Sequence, residues 1–168
     1  AGSQALWPET TYGIGTNPYS YHMYFNNCTH QGNMLIANGA TTSNVIVYQT
    51  NVSGLTPNTD YAFSCEANNV AASNSPLARL QFSVNGTQLG NIFTPTSTPC
   101  QWNTFYQIWH NDTATSATIT LLNQNTNADG NDFALDNIKF IKLCDAYDTI
   151  NIRVAYYLPD VYDTIDLY

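Results

Sequence analysis

Positive charge is what this chain has least of. Its 168 residues include four lysines and arginines (Arg79, Lys139, Lys142 and Arg153) against twelve acids, for a net charge of −8. Phosphate neutralisation needs clustered basic side chains, so a nucleic-acid partner is excluded, and an anionic membrane surface with it. Long apolar runs are missing as well. None approaches transmembrane length, and no stretch reads as a signal peptide, so the expectation is a mature soluble chain with no direct membrane insertion. The four cysteines contain no CxxC pair, which removes zinc knuckles and thioredoxin-like chemistry. His22, His30 and His110 stand far apart, with no HExxH or GxSxG around them. Glu9, Glu66, Asp112 and Asp132 are carboxylates of the kind glycosidases pair, but nothing in their spacing sets two face to face. The chain reads as a non-enzyme.

What is abundant is asparagine and threonine, together about a quarter of the residues, with twelve tyrosines and seven phenylalanines. Helix formers are depleted while β-branched and aromatic residues are plentiful, which favours an all-β fold. Cys28, Cys65, Cys100 and Cys144 fit an oxidising, extracellular compartment and allow three pairings. Asn27, Asn51, Asn85 and Asn111 match the glycosylation sequon, as chance alone provides in so Asn- and Thr-rich a chain.

Short alternating runs recur along the chain, separated by turn residues. Residues 1–20 read as loop, and the aromatic stretch Tyr19–Phe25 follows. Strands are expected at 33–37, 45–52, 61–67, 78–84, 88–93, 101–111 and 117–123, with Asn38-Gly39 and Asn85-Gly86 as turn signals. Such lengths and spacings indicate an antiparallel β-sandwich, or jelly roll. The last expected strand, residues 130–144, changes phase midway: Phe133 and Leu135 are odd, Ile138 and Phe140 even. A one-residue slip sends every later side chain to the wrong face, so the chain must absorb an extra residue, as a β-bulge near Asp136-Asn137. A carboxylate beside unpaired carbonyls suits calcium, for which Asp136 and Asp132 are the candidate ligands. The alternative is that Asp136 caps the kink by local hydrogen bonding.

Beyond Cys144 the character changes. Ile150, Ile152, Val154, Tyr156 and Leu158 alternate with Thr149, Asn151, Arg153, Ala155 and Tyr157, and five of the twelve acids lie in this tail. The division is a module at 1–144 and a strand-like extension at 145–168.

Glycan sites combine aromatic faces with polar side chains that pair with hydroxyls. Ser64, Glu66, Arg79, Gln81 and Ser83 face outward on two strands expected to be neighbours, with Arg79 the only cation among them. The 101–111 strand sets Trp102 and Tyr106 on one face and Phe105 and Trp109 on the other, and one set must be core. Glu66, Arg79, Gln81, Tyr106, Trp109, His22 and Tyr24 are the candidate ligand-binding residues.

Several motifs occur in an order that resembles a known group. They are Trp7-Pro8-Glu9, Tyr12–Pro18, Cys28–Gly39, Tyr48-Gln49, Pro57–Tyr61, Val84–Thr87, Cys100-Gln101-Trp102 and Gly130–Asp136. The chain is similar, over about residues 5 to 144, to secreted modules of Bacteroidetes-type surface proteins. These belong to the jelly-roll, carbohydrate-binding-module-like (galactose-binding-like) superfamily. The resemblance implies a non-catalytic, extracellular carbohydrate-binding or adhesive module with a structural calcium at Asp136. It also implies a Cys28–Cys100 disulfide, with Cys65 and Cys144 able to pair if their strands are adjacent. Relatives begin with a strand that this sequence lacks, leaving a gap over the core. Residues 149–158 have the right alternation to fill it, in cis or in a neighbouring copy, unless the tail instead begins a following module. The alternative function is therefore a filament subunit assembled by donor-strand exchange.

Overall fold

The computed structural model describes residues 5–72 and 75–143. The tail assigned to strand donation, residues 149–158, and the 145–168 extension lie outside the described residues, as does Cys144. Nine strands are formed: β1 (Thr11–Gly15), β2 (Met34–Asn38), β3 (Val45–Ser53), β4 (Thr59–Asn69), β5 (Leu80–Val84), β6 (Thr87–Phe93), β7 (Asn103–Asn111), β8 (Ser116–Asn123) and β9 (Phe133–Lys142). A single 3-10 turn at Pro18–Ser20 is the only helical element among the described residues. Two antiparallel sheets result, ordered β1-β2-β9-β4-β7 and β3-β8-β5-β6. They pack face to face as a jelly-roll sandwich.

Alternation explains the core. Odd residues of β4 (Tyr61, Phe63, Cys65, Ala67) and even residues of β5 (Leu80, Phe82, Val84) are buried in one cluster with Ile119, Leu121, Phe133 and Leu135. Phe63 meets Phe82 across the sandwich at 4.5 Å between ring centroids. β4 and β5 thus belong to opposite sheets. The expected outward row running from Glu66 to Arg79 is split between two outer faces of the molecule.

The phase change in the last strand is a bulge, as expected. Against β4, Ser64 pairs with Lys139 but Glu66 pairs with Asp136, so β9 carries one residue more than its partner. Asn137 absorbs it at φ 48°, a left-handed conformation that asparagine tolerates better than most side chains. Phe133, Leu135, Ile138 and Phe140 consequently all face the core.

One strand was hidden from the sequence. β1 lies where Gly13 and Gly15 argued for loop, and its glycines serve packing. A Cβ on Gly13 would sit 2.7 Å from the Tyr21 ring, and one on Gly15 would meet the same ring. The ring lies flat on the strand, and Tyr21 Oη donates to the Ile14 carbonyl at 2.5 Å. At the seam between β1 and β3 lies a slot of about 40 Å³, bordered by Thr11, Ala37, Val47 and Phe133. That is near the size of one water.

A second apolar cluster lies outside the sandwich, on part of the outer face of the five-stranded sheet. Leu6, Phe25, Cys28, Met34, Ile36, Val70 and Ala134 form it, with Tyr21, Cys100 and Trp102 packed against them. The Cys28–Cys100 disulfide, spanning 72 residues of sequence, fastens this cover. Cys65 is a free thiol inside the core, which corrects its conditional pairing with Cys144.

Buried asparagines account for much of the composition. Asn111 Nδ2 donates to the carbonyls of Thr56 and Ala114, and its Oδ1 accepts from Ala114 N. Asn123 Nδ2 donates to the carbonyls of Ala40, Thr42 and Asn125. Long loops without helices leave backbone groups unpaired, and these amides satisfy them. Asn111 is fully buried, so its sequon has no accessible amide.

Candidate functional site

Among the described residues, the cover leaves the rest of the outer face of the five-stranded sheet open. There it is three strands wide, since β2 pairs with β9 only at residues 133–135. Cross-strand pairing arranges the outward side chains in four rows. Asp60 pairs with His110, and Ala62 lies between Ile108 and Ile141. Ser64 lies between Tyr106 and Lys139, and Glu66 between Thr104 and Asp136. Two-residue steps of about 7 Å make these rows a surface roughly 20 Å long.

The fourth row ends at a wall. His30 Nδ1 lies 2.6 Å from Asp136 Oδ2, and its Nε2 lies 3.3 Å from Glu66 Oε2. The ring also packs against Trp102, at 4.2 Å between centroids. Asn137, at the bulge, donates from Nδ2 to Glu66 Oε2 at 2.8 Å and from its backbone N–H to Asp136 Oδ1 at 2.6 Å. At the other end His110 Nδ1 lies 2.6 Å from Asp60 Oδ1. Between the ends Tyr106 is 64% exposed, with Ile108 and Ile141 about half exposed. Lys139 is exposed and makes no ion pair among the described residues.

Several expected site residues lie elsewhere. Trp109 points inward, packing near Tyr61 and Phe140, because the Phe105/Trp109 face of β7 is the core face. Arg79 is exposed on the other sheet, just ahead of β5. Gln81 is buried there, donating to the Gly90 carbonyl and accepting from Gln124 Nε2, contacts that hold the sheet together. Glu66 and Tyr106 do share the open face. His30, Lys139, Ile108 and Ile141 escaped the sequence reading. A signal for His30 existed: it follows Cys28 by two residues, as Trp102 follows Cys100, and the disulfide brings those rings together.

His22, Tyr24 and Asp132 meet at one end of the sandwich, around a pocket of about 350 Å³ that Trp7, Glu9 and Asp129 also line. Asp132 Oδ1 accepts a hydrogen bond from Gly39 N at 3.2 Å. Burial pushes its carboxyl up to about 7, and the nearby Glu9 adds to the rise. Burial also raises Glu9, helped by Asp129, and lowers His22. The two expected calcium ligands have different surroundings. Asp136 is engaged by His30 and the bulge, whereas Asp132 serves the end pocket. No group of three His, Cys, Asp or Glu side chains among the described residues is placed to hold an ion.

Comparison with known proteins bears on the architecture. No protein-family model and no curated protein sequence matches the chain. Solved structures do. The C-terminal domain of EclA, described as a sugar-binding protein, superposes with a TM-score of 0.57 at 12% identity, covering 75% of this chain and 88% of that one. The CBM22-1 xylan-binding domain of Xyn10C from Paenibacillus barcinonensis gives 0.51 at 18% identity, covering 87% and 91%. The fold shared with them is an antiparallel jelly-roll β-sandwich. In this jelly roll, the disulfide-fastened cover and the bulge decide which part of the sheet stays open.

Proposed function

We propose that the chain is a non-catalytic, extracellular carbohydrate-binding module that takes a glycan on the open face of its five-stranded sheet. The exposed ring of Tyr106 carries the reading. It stands in the third row beside Ser64, with Lys139 beyond, and is one row from Glu66, Asp136 and His30. An aromatic face covers the C–H surface of a sugar, while neighbouring carboxylates, hydroxyls and imidazole pair with its hydroxyls. Ile108 and Ile141 extend the apolar part of that floor. Two proteins of similar fold carry sugar-binding and xylan-binding descriptions, which supports the same class of ligand here. A disulfide fits an oxidising compartment outside the cell.

Retention on immobilised xylan and a panel of other polysaccharides tests this. Tyr106→Ala is expected to weaken binding about tenfold, equivalent to about 1.4 kcal/mol. Arg79→Ala, on the other sheet, should leave binding unchanged. Retention that survives Tyr106→Ala, or no binding across the panel, would overturn the proposal.

A further inference from the structure

The end pocket is a separate feature from the open sheet face. Its volume of about 350 Å³ lies within the range of small-ligand sites. One wall is aromatic. Trp7 stacks on His22 with ring centroids 5.9 Å apart and planes inclined by 17°, and His22 lies 5.6 Å from Tyr24. His22 is buried between them, yet Trp7 is 63% and Tyr24 73% exposed, so each leaves ring surface open to solvent.

The other wall is acidic and lacks a counter-charge. Asp132 is only 8% exposed, and the one hydrogen bond it receives among the described residues comes from a backbone N–H. Glu9 Oε2 is buried with no hydrogen-bond partner among the described residues. Asp129 lies close enough to raise Glu9 further. Among the described residues no lysine or arginine lines the pocket, and burial works against a charge on His22. Buried carboxylates without a positive partner are costly unless a ligand supplies one.

We propose that this pocket binds a ligand presenting a primary ammonium on a small ring or chain, an amino sugar being the simplest example. The ammonium would pair with Asp132 and Glu9, and its positive charge would face the Trp7 and Tyr24 rings. A sugar ring carrying it would lie on the exposed aromatic surface. A bare metal ion suits the pocket less well, since the aromatic wall offers it no ligands and no side-chain triad among the described residues is placed to hold one. The site lies apart from the sheet face and does not depend on the reading given for it.

The test titrates glucosamine into the full chain at pH 7, followed by proton NMR. Glucose and N-acetylglucosamine serve as uncharged controls, and CaCl2 as the bare cation. Glucosamine should bind at least tenfold more tightly than either uncharged sugar. Trp7→Ala and Glu9→Gln should each weaken it at least tenfold, and Trp7→Ala should leave polysaccharide retention intact. Lowering the pH to 5.5 should weaken binding as Asp132 and Glu9 take up protons and as His22 gains charge. Trp7 is exposed, so its variant keeps the test valid even if a change at Glu9 disturbs folding. Equal affinity for all three sugars would overturn the proposal. So would glucosamine binding that survives Trp7→Ala, or CaCl2 binding in place of glucosamine.

Discussion

Asp132 sits where water scarcely reaches it, and one backbone N–H is its only hydrogen-bond donor among the described residues. Its carboxyl is raised from the usual carboxylate range to about 7, so the folded state holds its proton to higher pH than the unfolded chain does. Stability from this group is complete below about pH 4 and is lost as pH rises to about 7. At roughly 1.4 kcal/mol per pH unit, the loss approaches an upper bound of about 4 kcal/mol. Asp132→Asn keeps the Gly39 contact and removes the charge. Thermal melts should therefore show the variant more stable than the parent at pH 8, with the difference shrinking toward pH 5. An advantage that does not depend on pH would refute this account. The sequence showed Asp132 as an acid but gave no sign of its burial, because the loops that cover it meet only in the folded chain. Tyr106 was legible as one of two alternating aromatic faces. Which face was core depended on the sheet to which β7 belongs.

The elements that set the site's shape are the bulge in β9 and the disulfide-fastened cover. The bulge was legible, since the jump from Leu135 to Ile138 admits no other pairing with a single buried face. Asn137 occupies φ 48° and donates to Glu66. Replacing it with valine is expected to cost about 1–2 kcal/mol from the left-handed backbone alone. Glycine should fold as well as the parent but leave Glu66 without that donor. Urea denaturation of the two variants separates backbone strain from the lost hydrogen bond. The Cys28–Cys100 bridge closes a long loop, and its removal should cost about 2–5 kcal/mol. A double Cys→Ala variant with an unchanged urea midpoint would show that the second cluster holds without it. β1 was not legible, because its glycines are explained only by Tyr21 lying over them.

At the scale of the whole molecule, the sandwich followed from alternation and turn spacing, whereas the distribution of strands between the sheets did not. β4 and β5 read as neighbours because both place alternate residues in the core, and packing across the sandwich and pairing within a sheet leave the same pattern in sequence. That ambiguity alone separated Arg79 and Gln81 from Glu66. The net charge of −8 predicts weak retention on anionic resins and polyanions at low salt, with retention on neutral polysaccharide little changed by added salt. Salt-sensitive binding to the neutral polymer would instead point to charge pairing on the sheet face. The wall made by His30 and Trp102 also constrains direction. It blocks the face at one end of the strands, while among the described residues nothing closes the sides along β7 and the unpaired part of β9. Only a chain lying crosswise can continue past the protein on both sides. Interior stretches of a long polymer can then be gripped without a free terminus, and affinity per chain should rise with the number of repeats.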